Sequence, residues 1–346
     1  MRLEEPSWWY SEHARGAAAL LQPLASLYGW AAWTRYRRGV AYRSRLPVVC
    51  IGNFTAGGTG KTPLAIYLSQ HLKATGHEPV VLTRGYGGRL AGPYWVDAGT
   101  DTARDVGDEA LLLARVGPTH LARDRAAGAH AIESGPNPVT VIIMDDGLQN
   151  PGLAKDLAIA VVDGTRGLGN GLVMPAGPLR MPLELQLELT DAIVVTEAGT
   201  GAEGPVSDWL RHRFAGPVLR CAMVPAESTQ WLVGTRVLAW AGIGAPQRFF
   251  AKLAGLGAEL VEEVAFRDHQ WLRDADAGRL LELAQRHRAT LVTTEKDLAR
   301  LQGTGSGRLA ELAATTRVLP VKLSFGEPDA ERLLSLIDAA LKSRRG

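Results

Sequence analysis

Cysteine is nearly missing, with two residues, Cys50 and Cys221, in a chain of 346. Both lie in apolar sequence at no metal-binding spacing, so a disulfide framework and a cysteine metal site are excluded and a reducing cytoplasm suits the chain. Charge of one sign is also missing. Thirty-eight Lys and Arg stand against 36 Asp and Glu, and a formal net charge of +2 is too small to make nucleic acid the main partner. A basic leader is absent, since Glu4 and Glu5 stand in its place, so no cleavable signal peptide is expected. An unbroken apolar run of bilayer length is absent too, because Gln22, Pro23 and Ser26 interrupt the run Gly16 to Trp33. Nothing marks an obligate protein partner. What remains is a 46% hydrophobic chain with enough apolar sequence for about two domains.

The most informative stretch is Leu46 to Pro63. Val48 to Ile51 is an apolar, β-branched run that reads as a buried strand, and a glycine cluster ends it. Thr55, Ala56, Gly57, Gly58, Thr59, Gly60, Lys61 and Thr62 then form a phosphate-binding loop, a variant of the G-x-x-x-x-G-K-[ST] pattern with Thr55 in the place of the first glycine. The glycines let successive N–H groups turn inward on a polyphosphate, Lys61 adds a point charge, and the Thr62 hydroxyl is a magnesium ligand at the start of the helix pattern Leu64 to Leu72.

Upstream, Trp8, Trp9, Tyr10, Tyr28, Trp30 and Trp33 crowd around the interrupted run, and Arg35, Arg37, Arg38, Arg43 and Arg45 follow it. Aromatic rings at headgroup depth beside arginines facing anionic lipid fit a helix lying in a membrane interface. A helical hairpin packed on the protein's own core fits equally well.

Downstream, Pro79 to Thr83 reads as a strand delivering Arg84 on a glycine-rich turn, at the strand end where ligands of open α/β sheets sit. Asp108 or Glu109, ahead of the helix pattern Ala110 to Val116, reads in isolation as a helix cap. The apolar strand Val139 to Met144 ends in Asp145 and Asp146. That is a Walker B arrangement, in which a carboxylate at a strand end holds magnesium opposite the loop threonine. Strands at Leu157 to Val162 and Ala192 to Thr196, separated by helical patterns, indicate a parallel sheet with helices on both faces. A second unit follows, with strands at Val237 to Ala241, Glu259 to Val264, Thr290 to Thr293 and Val318 to Leu323 and an amphipathic stretch from Ala330 to Leu341. It is expected to be a smaller Rossmann-like lobe facing the first across a cleft. The expected division is an aromatic and basic segment over residues 1–45, a P-loop NTPase-type core over 46–230 and the smaller α/β lobe over 231–346.

Taken in order, Gly57 to Pro63, Arg84-Gly-Tyr-Gly-Gly88, Gly107-Asp-Glu109, Asp145-Asp-Gly-Leu-Gln149, Arg166 to Gly171, Pro175-Ala-Gly-Pro-Leu-Arg180, Ala241 to Gly244, Asp268-His269 and Thr293-Thr-Glu-Lys-Asp297 resemble the tetraacyldisaccharide 4'-kinases, the lipid A 4'-kinase family, over nearly the whole chain. The resemblance implies a P-loop kinase that uses ATP and Mg2+ to phosphorylate the 4'-hydroxyl of an acylated glucosamine disaccharide 1-phosphate. It implies a peripheral enzyme at the cytoplasmic face of the bacterial inner membrane. It also implies roles: Lys61 and Thr62 for phosphate and magnesium, Asp145 and Asp146 as carboxylates at that site, Asp108 as catalytic base with His269 as partner, and Arg84, Arg125, Asn170 and Arg180 toward the acceptor. Two positions depart from the family pattern. Met181 stands where a glutamate near the magnesium is usual, and Gln270 replaces a second histidine. Two rival classes share parts of this pattern. A membrane-bound nucleotide switch of the partitioning type carries a signature lysine where this chain has Ala56, and a soluble small-molecule kinase would use the aromatic N-terminus only as core.

Overall fold

A computed structural model describes residues 6–10, 15–197, 204–303 and 305–344. Glu4 and Glu5 lie outside them. Thirteen strands are formed among the described residues: β1 (Val48–Gly52), β2 (Pro79–Thr83), β3 (Tyr94–Trp95), β4 (Thr119–Leu121), β5 (Val141–Asp145), β6 (Leu157–Asp163), β7 (Ala192–Glu197), β8 (Val218–Pro225), β9 (Arg236–Ala241), β10 (Glu259–Ala265), β11 (Thr290–Thr293), β12 (Arg317–Val318) and β13 (Val321–Phe325). Nine of them make one sheet in the order β13-β8-β7-β6-β1-β5-β2-β4-β3, and four make a second in the order β10-β9-β11-β12. The large sheet is parallel except at its edges, where β13 runs antiparallel to β8 and β3 to β4.

The apolar run in β1 is explained by its place between β5 and β6 with both faces covered. Alternate residues enter different cores: Val48 and Cys50 pack with Ile142 and Met144, while Val49 and Ile51 pack with Leu64, Leu68 and Leu72 of the helix Lys61–Ala74. The pairing sets Ile51 beside Asp145. Two strand ends that matter for chemistry are thereby neighbours. The second lobe repeats this on a smaller scale, with Leu238 and Trp240 of β9 in one core and Val237, Ala239 and Ala241 in the other.

The C-terminal boundary differs from the sequence expectation. Val318 to Leu323 is not one strand of the second lobe. It is split at Pro320, which has no N–H to give to a ladder. β12 ends the small sheet beside β11, and β13 returns to the large sheet. The last helix, Glu327–Lys342, follows it back and buries Leu333, Ile337 and Leu341 in the core that holds Val49 and Ile51. Residues 321–342 therefore belong with the first lobe, and the second ends near Leu319.

The N-terminal segment forms one continuous helix, Arg15–Arg38, and not a hairpin. Ala18 and Ala25 face the protein, whereas Leu20 is 83% and Trp30 61% exposed, with Leu24 and Leu27 also outward. No helix among the described residues is long and apolar enough to cross a membrane. Trp9 goes the other way. It is buried, and its indole N–H donates to Pro175 O at 3.2 Å.

Because the chain's end completes the first lobe, truncation after Pro320 should abolish cooperative unfolding of that lobe and its nucleotide binding. A truncated protein that binds ATP with unchanged affinity would show that the returning strand and helix are dispensable.

Candidate functional site

The carboxyl ends of the large sheet open into a cleft of about 2200 Å³ between the lobes. Gly60 adopts φ +99 at the start of the helix Lys61–Ala74, a conformation that a side chain would strain. Asn53, fully buried, holds the preceding loop by donating to Thr55 O at 2.7 Å and Gly57 O at 3.2 Å. Gln149 donates in turn to Asn53 O at 2.7 Å, which ties the loop to the segment after β5. Ala56 to Thr62 all line the cleft, and Thr55, just behind them, is buried.

Two adjacent carboxylates at the end of β5 have opposite environments. Asp145 is 2% exposed; its Oδ2 accepts from the Thr83 hydroxyl at 3.1 Å, while its Oδ1 has no partner among the described residues. Burial, then the neighbouring charges of Glu109 and Asp146, push its pKa up to about 6 against the pull of Lys61 and Arg125. Asp146 is held well below the usual carboxylate range. Burial opposes this, but Lys61 at 3.4 Å and Arg180 at 2.8 Å from its Oδ1 outweigh it. Among the described residues no three metal-ligating side chains converge. An orphaned buried carboxylate oxygen at the strand end, with Asp146 and Thr62 on the cleft wall, fits a magnesium ion that takes most of its ligands from phosphates and water.

Across the cleft the structure joins Asp108 and His269, which are 161 positions apart in the chain. His269 Nδ1 lies 3.1 Å from Asp108 Oδ2, and the main-chain N–H of Glu109 donates to Asp108 Oδ1 at 2.9 Å. Gly107 ahead of them has φ +92, and a Cβ there would meet Tyr86 O at 2.4 Å, so the turn that presents Asp108 requires glycine. Asp108 is only 4% exposed. His269, with φ +56 and its ring edge-on to Tyr86, lines the cleft in front of it, as does Glu109. Burial alone would raise the Asp108 pKa, but the His269 hydrogen bond and the charges of Arg300 and His269 hold it well below the ordinary carboxylate value.

The arginines divide. Arg180 bridges Thr55 O at 3.1 Å and Asp146, and Arg84 is exposed on the cleft wall. Arg125 is 2% exposed and donates to Ala122 O and Asp145 O, both at 2.7 Å, so it braces the end of β5. Asn170 is not brought to this cleft. It lines a separate cavity of about 740 Å³ beside the N-terminal helix, where its side chain donates to Ala176 O at 2.8 Å. Met181 is buried on the main cleft's wall, while Glu184, the nearest carboxylate after it in sequence, faces the second cavity. Sequence reasoning gave no role to Asn53, Lys296 or Arg300, and gave Glu109 none beyond a helix cap. All but Asn53 and Arg300 lie within motifs quoted above, and only three-dimensional pairing distinguishes them from caps and surface charges.

The raised Asp145 pKa has a measurable sign. Folded at about 6 and unfolded at about 3.9, the group weakens the fold as pH rises between those values and leaves it weaker by roughly 2 to 3 kcal/mol above them. Asp145→Asn should therefore unfold at a higher temperature than the parent at pH 8 and at nearly the same temperature near pH 4. A variant less stable than the parent at pH 8 would contradict the assignment.

Comparison with known proteins identifies the family. The profile of the tetraacyldisaccharide-1-P 4'-kinases matches residues 17–342. The tetraacyldisaccharide 4'-kinase of Methylobacterium nodulans is 47% identical over 97% of this chain and 96% of its own length, and that of a Bradyrhizobium species is 45% identical over 99% and 97%. The crystal structure of LpxK from Aquifex aeolicus in complex with ATP superposes with a TM-score of 0.71 at 25% identity, covering 94% of this chain and 99% of that one. On the matched length and identity, this chain belongs to the tetraacyldisaccharide 4'-kinase family.

Proposed function

We propose that the cleft moves the γ-phosphate of ATP to the 4'-hydroxyl of a tetraacylated glucosamine disaccharide 1-phosphate, with Asp108 as base and His269 as its partner. The observation that carries the reading is that the phosphate loop with Asp146 and the His269 side of the dyad line one cleft. The loop's N–H groups and Lys61 bind the phosphates at the start of a helix, whose dipole favours anions. Thr62, Asp145 and Asp146 would hold Mg2+, which when bound with ATP offsets charge on the β and γ phosphates. Arg180 pins Asp146 to the loop, and Arg84 offers an exposed guanidinium to the acceptor's phosphate.

The depressed Asp108 pKa suits this chemistry. Phosphoryl transfer has a loose transition state in which the hydroxyl loses its proton late, so the carboxylate's main task is to orient that hydroxyl while remaining ionised. Closing the lobes over the reactants excludes water, which would otherwise take the phosphate.

The N-terminal helix supports a membrane-borne acceptor. Its outward Leu20, Leu24, Leu27 and Trp30 form an apolar face, and Arg35, Arg37 and Arg38 occupy its last turn. Tyr28, Ala32 and Arg35 of the same helix line the main cleft. A helix lying in the interface would thus deliver the acylated sugar edge-on to the phosphates while the protein stays peripheral, at the cytoplasmic face of the inner membrane.

The direct test is transfer of labelled γ-phosphate to a tetraacyl disaccharide 1-phosphate in detergent micelles. Lys61→Ala and Asp145→Ala should each lower turnover by roughly two decades or more. Asp108→Ala should lower kcat far more than it raises KM, His269→Ala should do so less severely, and the double variant should be little worse than Asp108→Ala. Effects that multiply in the double variant would show two independent residues.

A separate measurement addresses the helix. Leu20→Ser with Leu24→Ser and Leu27→Ser should reduce sedimentation with anionic vesicles and leave ATP binding intact. Unchanged sedimentation would remove the helix from the membrane-binding surface.

A further inference from the structure

The helix Glu295–Leu301 of the second lobe carries Lys296 and Arg300 four residues apart, hence on one face. That face meets the helix Asp108–Ala114, which begins with two consecutive acids. Lys296 Nζ donates to Glu109 Oε1, and Arg300 Nε donates to Asp108 Oδ2 at 2.7 Å. Arg300 Nη2 is buried without a partner among the described residues, and the rest of the guanidinium is anchored behind. Its Nη1 donates to Asp297 Oδ1 at 2.7 Å and to Gly242 O at 2.8 Å, and the side chain is 5% exposed. Asp297 is fixed in turn, since its Oδ1 also accepts the Gly242 N–H at 3.0 Å and its Oδ2 the Thr294 hydroxyl at 2.5 Å.

We propose that Arg300 is a positioning residue for phosphoryl transfer, acting through Asp108. Arg300 and His269 both address Oδ2, so the carboxylate is turned with that oxygen toward the second lobe. Oδ1 accepts the Glu109 N–H and keeps lone-pair capacity for the acceptor hydroxyl. Arg300 differs from His269 in being permanently charged and in being held from behind by Asp297 and Gly242, so the direction of its N–H toward Asp108 Oδ2 is fixed at any pH. It is buried behind Asp108 and is not among the residues that line the cleft, so it is assigned no direct part in nucleotide binding. The inference rests on the reading of Asp108 as the base.

The test compares Arg300→Lys, Arg300→Met, Asp108→Asn and the double variant Asp108→Asn with Arg300→Lys, using ATP and the tetraacyl disaccharide 1-phosphate in micelles. Arg300→Met removes a buried cation that bonds both Asp108 and Asp297 and is the variant more prone to misfold, so the lysine variant is the primary reagent. Lysine keeps the charge and loses the fork. Arg300→Lys should lower kcat by about 10- to 100-fold with KM for ATP within about twofold, and Arg300→Met should lower kcat further. In the Asp108→Asn background, Arg300→Lys should change kcat by less than about threefold, because the group it orients has already been disabled. Near-normal turnover of Asp108→Asn would overturn the base assignment itself. A large Asp108→Asn effect with the Arg300→Lys loss persisting undiminished in the double variant would leave the base in place and overturn the positioning role. A rise in KM for ATP matching the fall in kcat would overturn it as well.

Discussion

The pairing of β1 with β5 in a register that sets Ile51 beside Asp145 is the constraint on which the site depends. A parallel pair aligns its carboxyl ends, so the loop leaving β1 and the acids leaving β5 have to emerge together. A slip of one residue would turn Val49 and Ile51 away from the core they share with Leu64 and Leu68, and the burial of both faces penalises this strongly. The apolar cores on the two sides of the sheet thereby set the distance between a lysine and a pair of carboxylates that belong to neither core.

Within that frame, charge is distributed by neighbours more than by residue type. Asp145 and Asp146 are adjacent in sequence and are pushed in opposite directions, one buried beside other acids with an unpartnered oxygen and the other clamped between Lys61 and Arg180. Asp108, nearly as buried as Asp145, goes the way of Asp146 because cations from the second lobe surround it. Burial alone predicts the wrong direction for two of these three carboxylates. The number of cations within reach decides the sign. Asp145 therefore loses its proton at higher pH than an ordinary carboxylate, and Asp146 and Asp108 at lower pH.

Much of this was legible in the chain because it depends on short-range pattern. The strands of the large sheet that are buried on both faces are continuous apolar runs, and β2 and β11 have the bounds that the pattern predicts. Asp108 and His269 were paired through a family resemblance and not through spacing. What could not be read is what long-range packing decides. Val318 to Leu323 has the composition of one strand, and nothing local says that Pro320 divides it between two sheets. The short strand Thr119–Leu121 has too few residues for a periodic signal. Arg125 carries a charge that suggests a surface contact, and only the fold shows its guanidinium turned onto two carbonyls beneath the sheet's end. Asn170 was expected toward the acceptor, and the fold places it in the cavity beside the N-terminal helix and not in the cleft with the phosphate loop.

The return of the chain to the large sheet makes the second lobe an insertion between two neighbouring strands. Pro225 and Val321 face each other where β8 and β13 pair, and the Ala226 N–H donates to Pro320 O at 2.9 Å, so departure and re-entry are separated by a single hydrogen bond. Beyond these two strands the second lobe is tied to the first through the pairs Arg300 with Asp108, Lys296 with Glu109 and Arg248 with Asp163. The same closeness means that a tight turn between Ala226 and Pro320 would span the gap left by removing the lobe. The lobe that carries the phosphate loop is thus a topologically closed unit, with the lobe that supplies His269, Lys296 and Arg300 grafted between two strands at its edge.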